Sequence, residues 1–221
     1  LAFLLLLGMV VGLIVLEPDL GTAVTILLTA VVLYFLSGAS VYHFLALLPI
    51  LAVGVGGLAI AKPYRMRRLL TFFNPNEDPL GAGYQIRQAL LALGSGGLYG
   101  VGLGKSRQKY EYLPEANTDS IFAILGEETG FIGAITLTGL LLFLVWRCFK
   151  IAKRIDNPFG KMLSLGVGSW IGIQALINMS AMVALVPLTG VPLPLISYGG
   201  SNLVITLGAL GIVYNISKKY T

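Results

Sequence analysis

Apolar residues gather into six long runs, at 1 to 16, 20 to 36, 41 to 61, 120 to 146, 162 to 186 and 197 to 216, separated by charge, proline or glycine. About 20 helical residues cross the hydrocarbon of a bilayer, so the pattern predicts an all-α bundle of six transmembrane helices forming a single membrane domain over 1–221. The first run opens with neither Met nor a basic leader, so it reads as neither a signal peptide nor a natural start, and further chain is expected upstream. Between the third and fourth runs lie the 58 residues from Lys62 to Asp119. A connection of that length is uncommon without a task of its own. Within it Ile86, Ala89, Leu90 and Leu93 fall on one helical face, which predicts a helix lying in the membrane interface.

Composition agrees with the pattern. Of 221 residues, 56% are hydrophobic and 11% charged, far from the quarter charged of an ordinary soluble domain. The net charge of +5 is scattered among apolar runs rather than laid along one face, which argues against nucleic-acid binding. It is better read as topology. Arg147 to Lys161 holds five basic residues, and Lys218 and Lys219 stand in the tail; basic flanks favour the cytoplasmic side. The 147–161 loop and the C-terminus are therefore expected inside. The 62–119 loop and the Pro187 to Pro194 turn are expected outside, with an even number of spans upstream. A lone Cys148 excludes an intrachain disulfide, and a lone His43, expected at the interface, excludes two-histidine zinc motifs, so no metal site is expected from these residues.

Candidate chemistry concentrates in the 62–119 loop. The run GSGGLYGVGLGKS at 94–106 ends like a phosphate-binding loop, but Tyr99 stands where that motif needs glycine. The expected role is a turn that lets backbone approach closely, with backbone amides at a substrate phosphate as the alternative. Pro114, Asn117 and Thr118 mark a helix start, which puts Asp119 in the first turn, either as an ordinary N-terminal acid or as a general base. Glu127 and Glu128 follow two turns deeper, where an ionisable group is costly, so at least one is expected to line a cavity. Arg65, Arg67 and Arg68 form the best candidate for gripping a pyrophosphate, with Lys105 among the further cations. Gln174 and Asn178 lie one helical turn apart and point together into the bundle. Glu17 and Asp19 either cap a helix or line a cavity mouth.

Six stretches carry a resemblance along the whole chain: EPDLGT at 17–22, YRMRR at 64–68, NPNEDPLGAGYQ at 74–85, GSGGLYGVGLGKSRQKYEYLPEANTD at 94–119, EETG at 127–130 and PLTGVPLPLISYGGS at 187–201. The sequence resembles the SEDS proteins (shape, elongation, division and sporulation), and YRMRR and QKYEYLPEA are closer to their FtsW division branch than to the RodA elongation branch. The resemblance implies the last six helices of a ten-helix fold, and an essential acid at Asp119. It further implies polymerisation of lipid II, a disaccharide-pentapeptide on undecaprenyl pyrophosphate, at the outer face of the bacterial cytoplasmic membrane. Gln85, Glu111, Glu115, Ser197 and Ser201 fall within its motifs and are carried over as substrate-binding candidates beside the arginines and Lys105. A divalent cation, Mg or Mn, is an alternative source of positive charge for the leaving group. The implied partners are the lipid-linked glycan, a class B penicillin-binding transpeptidase and other divisome membrane proteins. Two departures stand out: Asn117 and Ser120 occupy places where the family usually has His and Phe, and Asn202 follows SYGGS where Ser is usual. Two other readings remain open at this point. One is a lipid II flippase with Glu127, Glu128, Gln174 and Asn178 along its path; the other is a non-catalytic scaffold for the transpeptidase. Activity in these 221 residues alone is not expected.

Overall fold

A computed structural model describes residues 2–17, 19–40, 42, 45, 49, 56–57, 63–74, 81–110 and 112–220, except the side chains of 2, 4, 63–65 and 220. The described residues form seven helices: α1 (Ala2–Leu16), α2 (Leu20–Leu36), α3 (Pro63–Phe73), α4 (Ala82–Gly96), α5 (Ile121–Ala152), α6 (Pro158–Met182) and α7 (Gly200–Tyr220). Of these, α5, α6 and α7 are long and apolar enough to cross a membrane, while α1 and α2 are apolar but shorter. The predicted third span, 41 to 61, falls largely outside the described residues, as does His43.

Helix boundaries follow local chemistry. Asp19 caps α2, its Oδ1 accepting from Thr22 N–H at 3.0 Å, so of its two predicted roles the cap is the one observed. The fourth run continues through Arg147 to Ala152 as helix, six residues further into the predicted 147–161 loop than the hydropathy pattern indicated. Nothing there stops it: Lys150 lies 4.6 Å above the Trp146 ring, and a cation in the last turn suits the helix dipole. Asn157 then restarts the chain, accepting at its Oδ1 from Phe159 N–H at 3.0 Å, with Pro158 at the first helical position. The sixth helix thus begins four residues before the predicted span.

The structure divides into two compact units. One comprises Leu1–Leu58, Leu144–Ile173 and Ile205–Thr221, the other Ala59–Phe143 and Gln174–Val204. In the first, Cys148, Val167, Ile171 and Val213 form the buried core. Gly168 lets the backbone come close to Cys148, since a Cβ there would stand 2.8 Å from the cysteine Cβ. The second unit holds the larger core, built from Ile86, Ala89 and Ala92 of α4, Phe122, Ala123 and Ile124 of α5, Ala181 and Met182 of α6, and Leu188 and Leu193 of the following turn.

Helix α4 confirms the predicted periodicity and alters its meaning. Ile86 and Ala89 are buried against protein, together with Ala92, while Leu90 and Leu91 are exposed. Of the stripe expected at the membrane interface, Ile86 and Ala89 are therefore turned into the core and Leu90 is not. Gly96 and Gly126 make the approach possible: a Cβ on Gly96 would lie 2.1 Å from Gly126 O, and one on Gly126 2.4 Å from Leu93 Cδ2.

Candidate functional site

Asp119 stands just ahead of α5. The chain reaches it through a turn at Glu115, whose φ of 52° lets one carbonyl accept from both Thr118 N–H at 3.1 Å and Ser120 N–H at 3.0 Å. Ser120, fully buried, supplies the carbonyl for the first helical turn, accepting from Ala123 N–H at 3.0 Å. The helix therefore starts two residues beyond the predicted acid, and Asp119 is carried on the connection rather than in the first turn. Ser120 Oγ in turn donates to Pro114 O at 3.0 Å and accepts from Gln85 Nε2 at 3.1 Å, tying α4 to the start of α5.

The Pro-rich segment 187–199 closes the site from the opposite side. Ser197, buried, accepts from Leu193 N–H and donates to Thr118 O, each at 2.6 Å, while Tyr198 N–H donates to Asn117 O at 2.8 Å. Asn178 of α6 sits between these strands of chain: its Nδ2 donates to Asp119 O at 2.7 Å and to Val191 O at 2.8 Å. Gln174, one turn earlier, donates to Pro192 O at 3.0 Å. Both amides thus hold the backbone of connecting segments in place, where bonds between helices are the usual role of such pairs.

These elements enclose a cavity of about 60 Å³ lined by Arg68 of α3, Gln85 of α4, Glu115, Asp119, Asn178 and Met182 of α6, and the 188–191 turn. That is room for a few waters or the hydroxyl edge of a sugar, not for a disaccharide. Arg68 Nη1 donates to Leu188 O at 3.2 Å, which fixes the guanidinium on the cavity wall. Gly190 has φ 73°, and a Cβ there would stand 3.4 Å from Asp119 Oδ2, so this turn passes against the carboxylate itself. The arrangement places an acid beside a cation at a small polar cavity, suited to taking a proton from an entering hydroxyl while a nearby anion is neutralised.

Five predicted site residues line this cavity: Asp119, Arg68, Gln85, Glu115 and Asn178. Others lie elsewhere. Arg67 is exposed and does not line this cavity with Arg68. Lys105 is exposed in the Gly-rich loop and Ser201 is exposed in the first turn of α7. Ser197 is a backbone clamp. Glu111 and the Arg65 side chain fall outside the described residues.

Glu127 does not line the cavity. It is 2% exposed, and its carboxylate accepts from Ser106 Oγ, from Arg107 N–H at 3.1 Å and from Gln108 N–H at 3.3 Å. Glu128 pairs with Lys109 Nζ at 2.8 Å. Hydrogen bonding to that carboxylate holds the Lys109 ammonium above its ordinary pKa. Among the described residues no group of three or more His, Cys, Asp or Glu is gathered as a metal site. Thr189 and Gly190 went unpredicted although they sit in the PLTGVPLP stretch; a Thr-Gly pair between prolines was the available signal of a tight turn.

The family model described as a cell cycle protein, FtsW/RodA/SpoVE, matches residues 1–221. The chain is 46% identical over 202 residues to stage V sporulation protein E of Bacillus subtilis (strain 168), covering 91% of this chain and 55% of that protein. It is 41% identical over 217 residues to the protein named "Probable peptidoglycan glycosyltransferase FtsW" of Geobacter sp. (strain M18), covering 98% of this chain and 59% of that one. A solved structure described as "Structural coordination of polymerization and crosslinking by a peptidoglycan synthase complex" matches with a TM-score of 0.78 at 31% identity, over 99% of this chain and 61% of its counterpart. The chain therefore spans between half and two thirds of the length of these relatives.

Proposed function

The chain belongs to the FtsW/RodA/SpoVE family of cell cycle proteins, a family of membrane proteins, and on that premise we propose that it carries the catalytic base, a carboxylate, of a peptidoglycan glycosyltransferase that polymerises lipid II. The observation that carries this reading is the half-buried Asp119 on the wall of a small polar cavity with Arg68 and Gln85. Asp119 takes the proton from the 4-hydroxyl of the acceptor sugar as that oxygen attacks the anomeric carbon of the donor. One C–O bond forms, the bond to the lipid pyrophosphate breaks, and the pyrophosphate departs from the opposite face with inversion. Arg68 is the described cation best placed to offset its charge. The donor's own leaving group drives the step, so no nucleotide is consumed.

Asp119, Glu115 and the Asn178 amide oxygen offer an all-oxygen set that suits Mg or Mn; such an ion, when bound, would add positive charge for the departing pyrophosphate. The basic flanks at 147–161 and 218–219 support an Asp119 cavity at the outer face of the bacterial cytoplasmic membrane, with the C-terminus inside. The likeness to a synthase complex that couples polymerisation to crosslinking supports a class B penicillin-binding transpeptidase as partner. Transport is less well supported. The polar side chains expected along a flippase path are bonded to backbone, Gln174 to Pro192 O and Glu127 to the 106–108 loop.

The test uses the full-length polypeptide containing this chain and purified lipid II. Asp119→Asn abolishes glycan polymer while folding and lipid binding persist; unchanged polymerisation removes the assignment. Loss of fluorescent-lipid translocation on replacing Gln174 and Asn178 supports the flippase instead, and polymer that forms only with an added partner enzyme supports the scaffold.

A further inference from the structure

Helix α5 is two helices joined at Gly130, where the backbone turns to φ 68°, ψ −168°. In an unbroken helix the N–H groups of Phe131 and Ile132 would bond to the carbonyls of Glu127 and Glu128. Here they donate to Gly97 O at 2.9 Å and Leu98 O at 3.2 Å. The two carbonyls accept instead from Val101 N–H and Gly102 N–H, each at 3.0 Å. The Gly-rich loop thus supplies a partner for each of these four backbone groups, as a buried break requires. Only glycine permits the fit: a Cβ on Gly130 would stand 2.4 Å from Gly100 N, and one on Gly100 2.2 Å from Glu128 O.

Side chains extend the same seam. Glu127 and Glu128 lie in the last turn of the first half-helix, where the helix dipole disfavours negative charge. Donors from the loop offset that cost: Ser106 Oγ, Arg107 N–H and Gln108 N–H for Glu127, and Ser106 N–H and Lys109 Nζ for Glu128. A leucine at 127 would fill the space without an ionic cost, but would leave Arg107 and Gln108 N–H groups aimed at no acceptor.

The half-helix Ile121–Thr129 begins two residues beyond Asp119. We propose that Glu127 is a positioning residue, latching the 106–108 loop to the broken half of α5 and so setting where Asp119 stands. The proposal rests on the reading of Asp119 as the base. Because the hydrogen-bond ladder is interrupted at Gly130, the second half of the helix cannot by itself fix the tilt of the first. Eleven residues of mostly helical rise separate Gly130 from Asp119, a lever of about 16 Å. A tilt of about 4° at the break moves the acid by about 1 Å, a displacement that costs on the order of a hundredfold in rate. Asn178 and Ser197 hold the far end of this lever, and Glu127 holds the near end.

The experiment compares Glu127→Gln and Ser106→Ala with the parent, in the full-length polypeptide supplied with purified lipid II. The amide of Gln offers one acceptor oxygen where the loop addresses two, and the Ser variant removes a single donor should the first fold poorly. Per folded molecule, kcat falls about tenfold or more while KM stays within about twofold, the split expected when a transition-state geometry is lost. The acid limb of the pH–rate profile stays in place, because Asp119 still titrates. Amide hydrogen exchange quickens over 121–132 and not over 135–150. Full kcat per folded molecule in both variants overturns the proposal. So does a rise in KM alone, which makes the role substrate binding, or loss of the acid limb in Glu127→Gln, which makes Glu127 itself the titrating group. If Asp119→Asn turns over as fast as the parent, the reading of the base fails separately, and unchanged exchange over 121–132 then overturns the latch.

Discussion

Replacing Asn178 with Leu removes the side chain that ties the backbone of Asp119 to the turn facing it. Asn178 is 1% exposed and donates from one nitrogen to Asp119 O at 2.7 Å and Val191 O at 2.8 Å. Leucine keeps the heavy-atom branching of asparagine but is larger, so some packing cost adds to the loss of hydrogen bonds. A buried carbonyl deprived of its donor costs about 1–3 kcal/mol, although bonds between membrane helices average nearer 0.6 kcal/mol. Leucine also removes Asn178 Oδ1, which has no hydrogen-bond partner among the described residues, and that gain offsets part of the loss. The net destabilisation is then about 2–3 kcal/mol, and for a domain of this size the melting temperature falls by about 4–12 °C. Fluorescence-detected gel filtration after heating, on the full-length polypeptide in detergent, reads that shift. Polymer synthesis per folded molecule falls with it, since Asp119 loses its backbone anchor. A melting temperature within about 1 °C of the parent, well below the shift expected from two lost bonds, together with undiminished synthesis would refute the reasoning.

Gly130→Ala forces a side chain into a backbone conformation with φ 68° and into the Gly100 amide, so both the break and its four loop bonds are lost. The expected cost is about 3 kcal/mol or more, read as a lower melting temperature or failure to accumulate in the membrane. Arg68→Gln keeps a donor for Leu188 O but removes the cavity cation, and kcat/KM for lipid II falls by about 10²–10³, with little change in stability. Lys109→Met lowers the melting temperature by an amount that shrinks in high salt, as a pair still partly open to solvent should. Because the Lys109 pKa is raised in the folded state, the ion pair's contribution is complete below the ordinary lysine value of 10.5 and fades as pH climbs through the folded value above it. The melting difference between parent and variant should follow that course; a difference that disappears near neutral pH contradicts it.

How far the sequence could be read depended on how local each cause is. Pro114, Asn117 and Thr118 announce a helix start within a few residues, which is why Asp119 was placed near the head of α5. Its true position ahead of the helix depends on Glu115 adopting φ 52°, a conformation that a glutamate does not advertise. The stripe on α4 was legible as a helix, but a stripe does not say whether protein or lipid covers it; Gly96 and Gly126, which admit α5 so closely, gave the missing hint. The break at Gly130 was invisible because EETG runs directly into an apolar stretch that reads as one span. The cost of an ionisable group at depth pointed Glu127 or Glu128 toward a cavity, when the partners of Glu127 are the Ser106 hydroxyl and backbone amides 19 and 20 residues upstream. Arg67 and Arg68 adjoin in sequence, yet α3 turns one outward and the other to the cavity wall, as about 100° per residue dictates.

The most direct check is glycan synthesis by Asp119→Asn against its parent, in the full-length polypeptide with purified lipid II, at matched amounts of folded protein. An amide cannot accept the hydroxyl proton, so turnover falls by about 10²–10⁴, the contribution of a general base, while lipid II still binds. Turnover within about twofold of the parent would mean that no transition-state interaction was lost at residue 119, and would contradict the account.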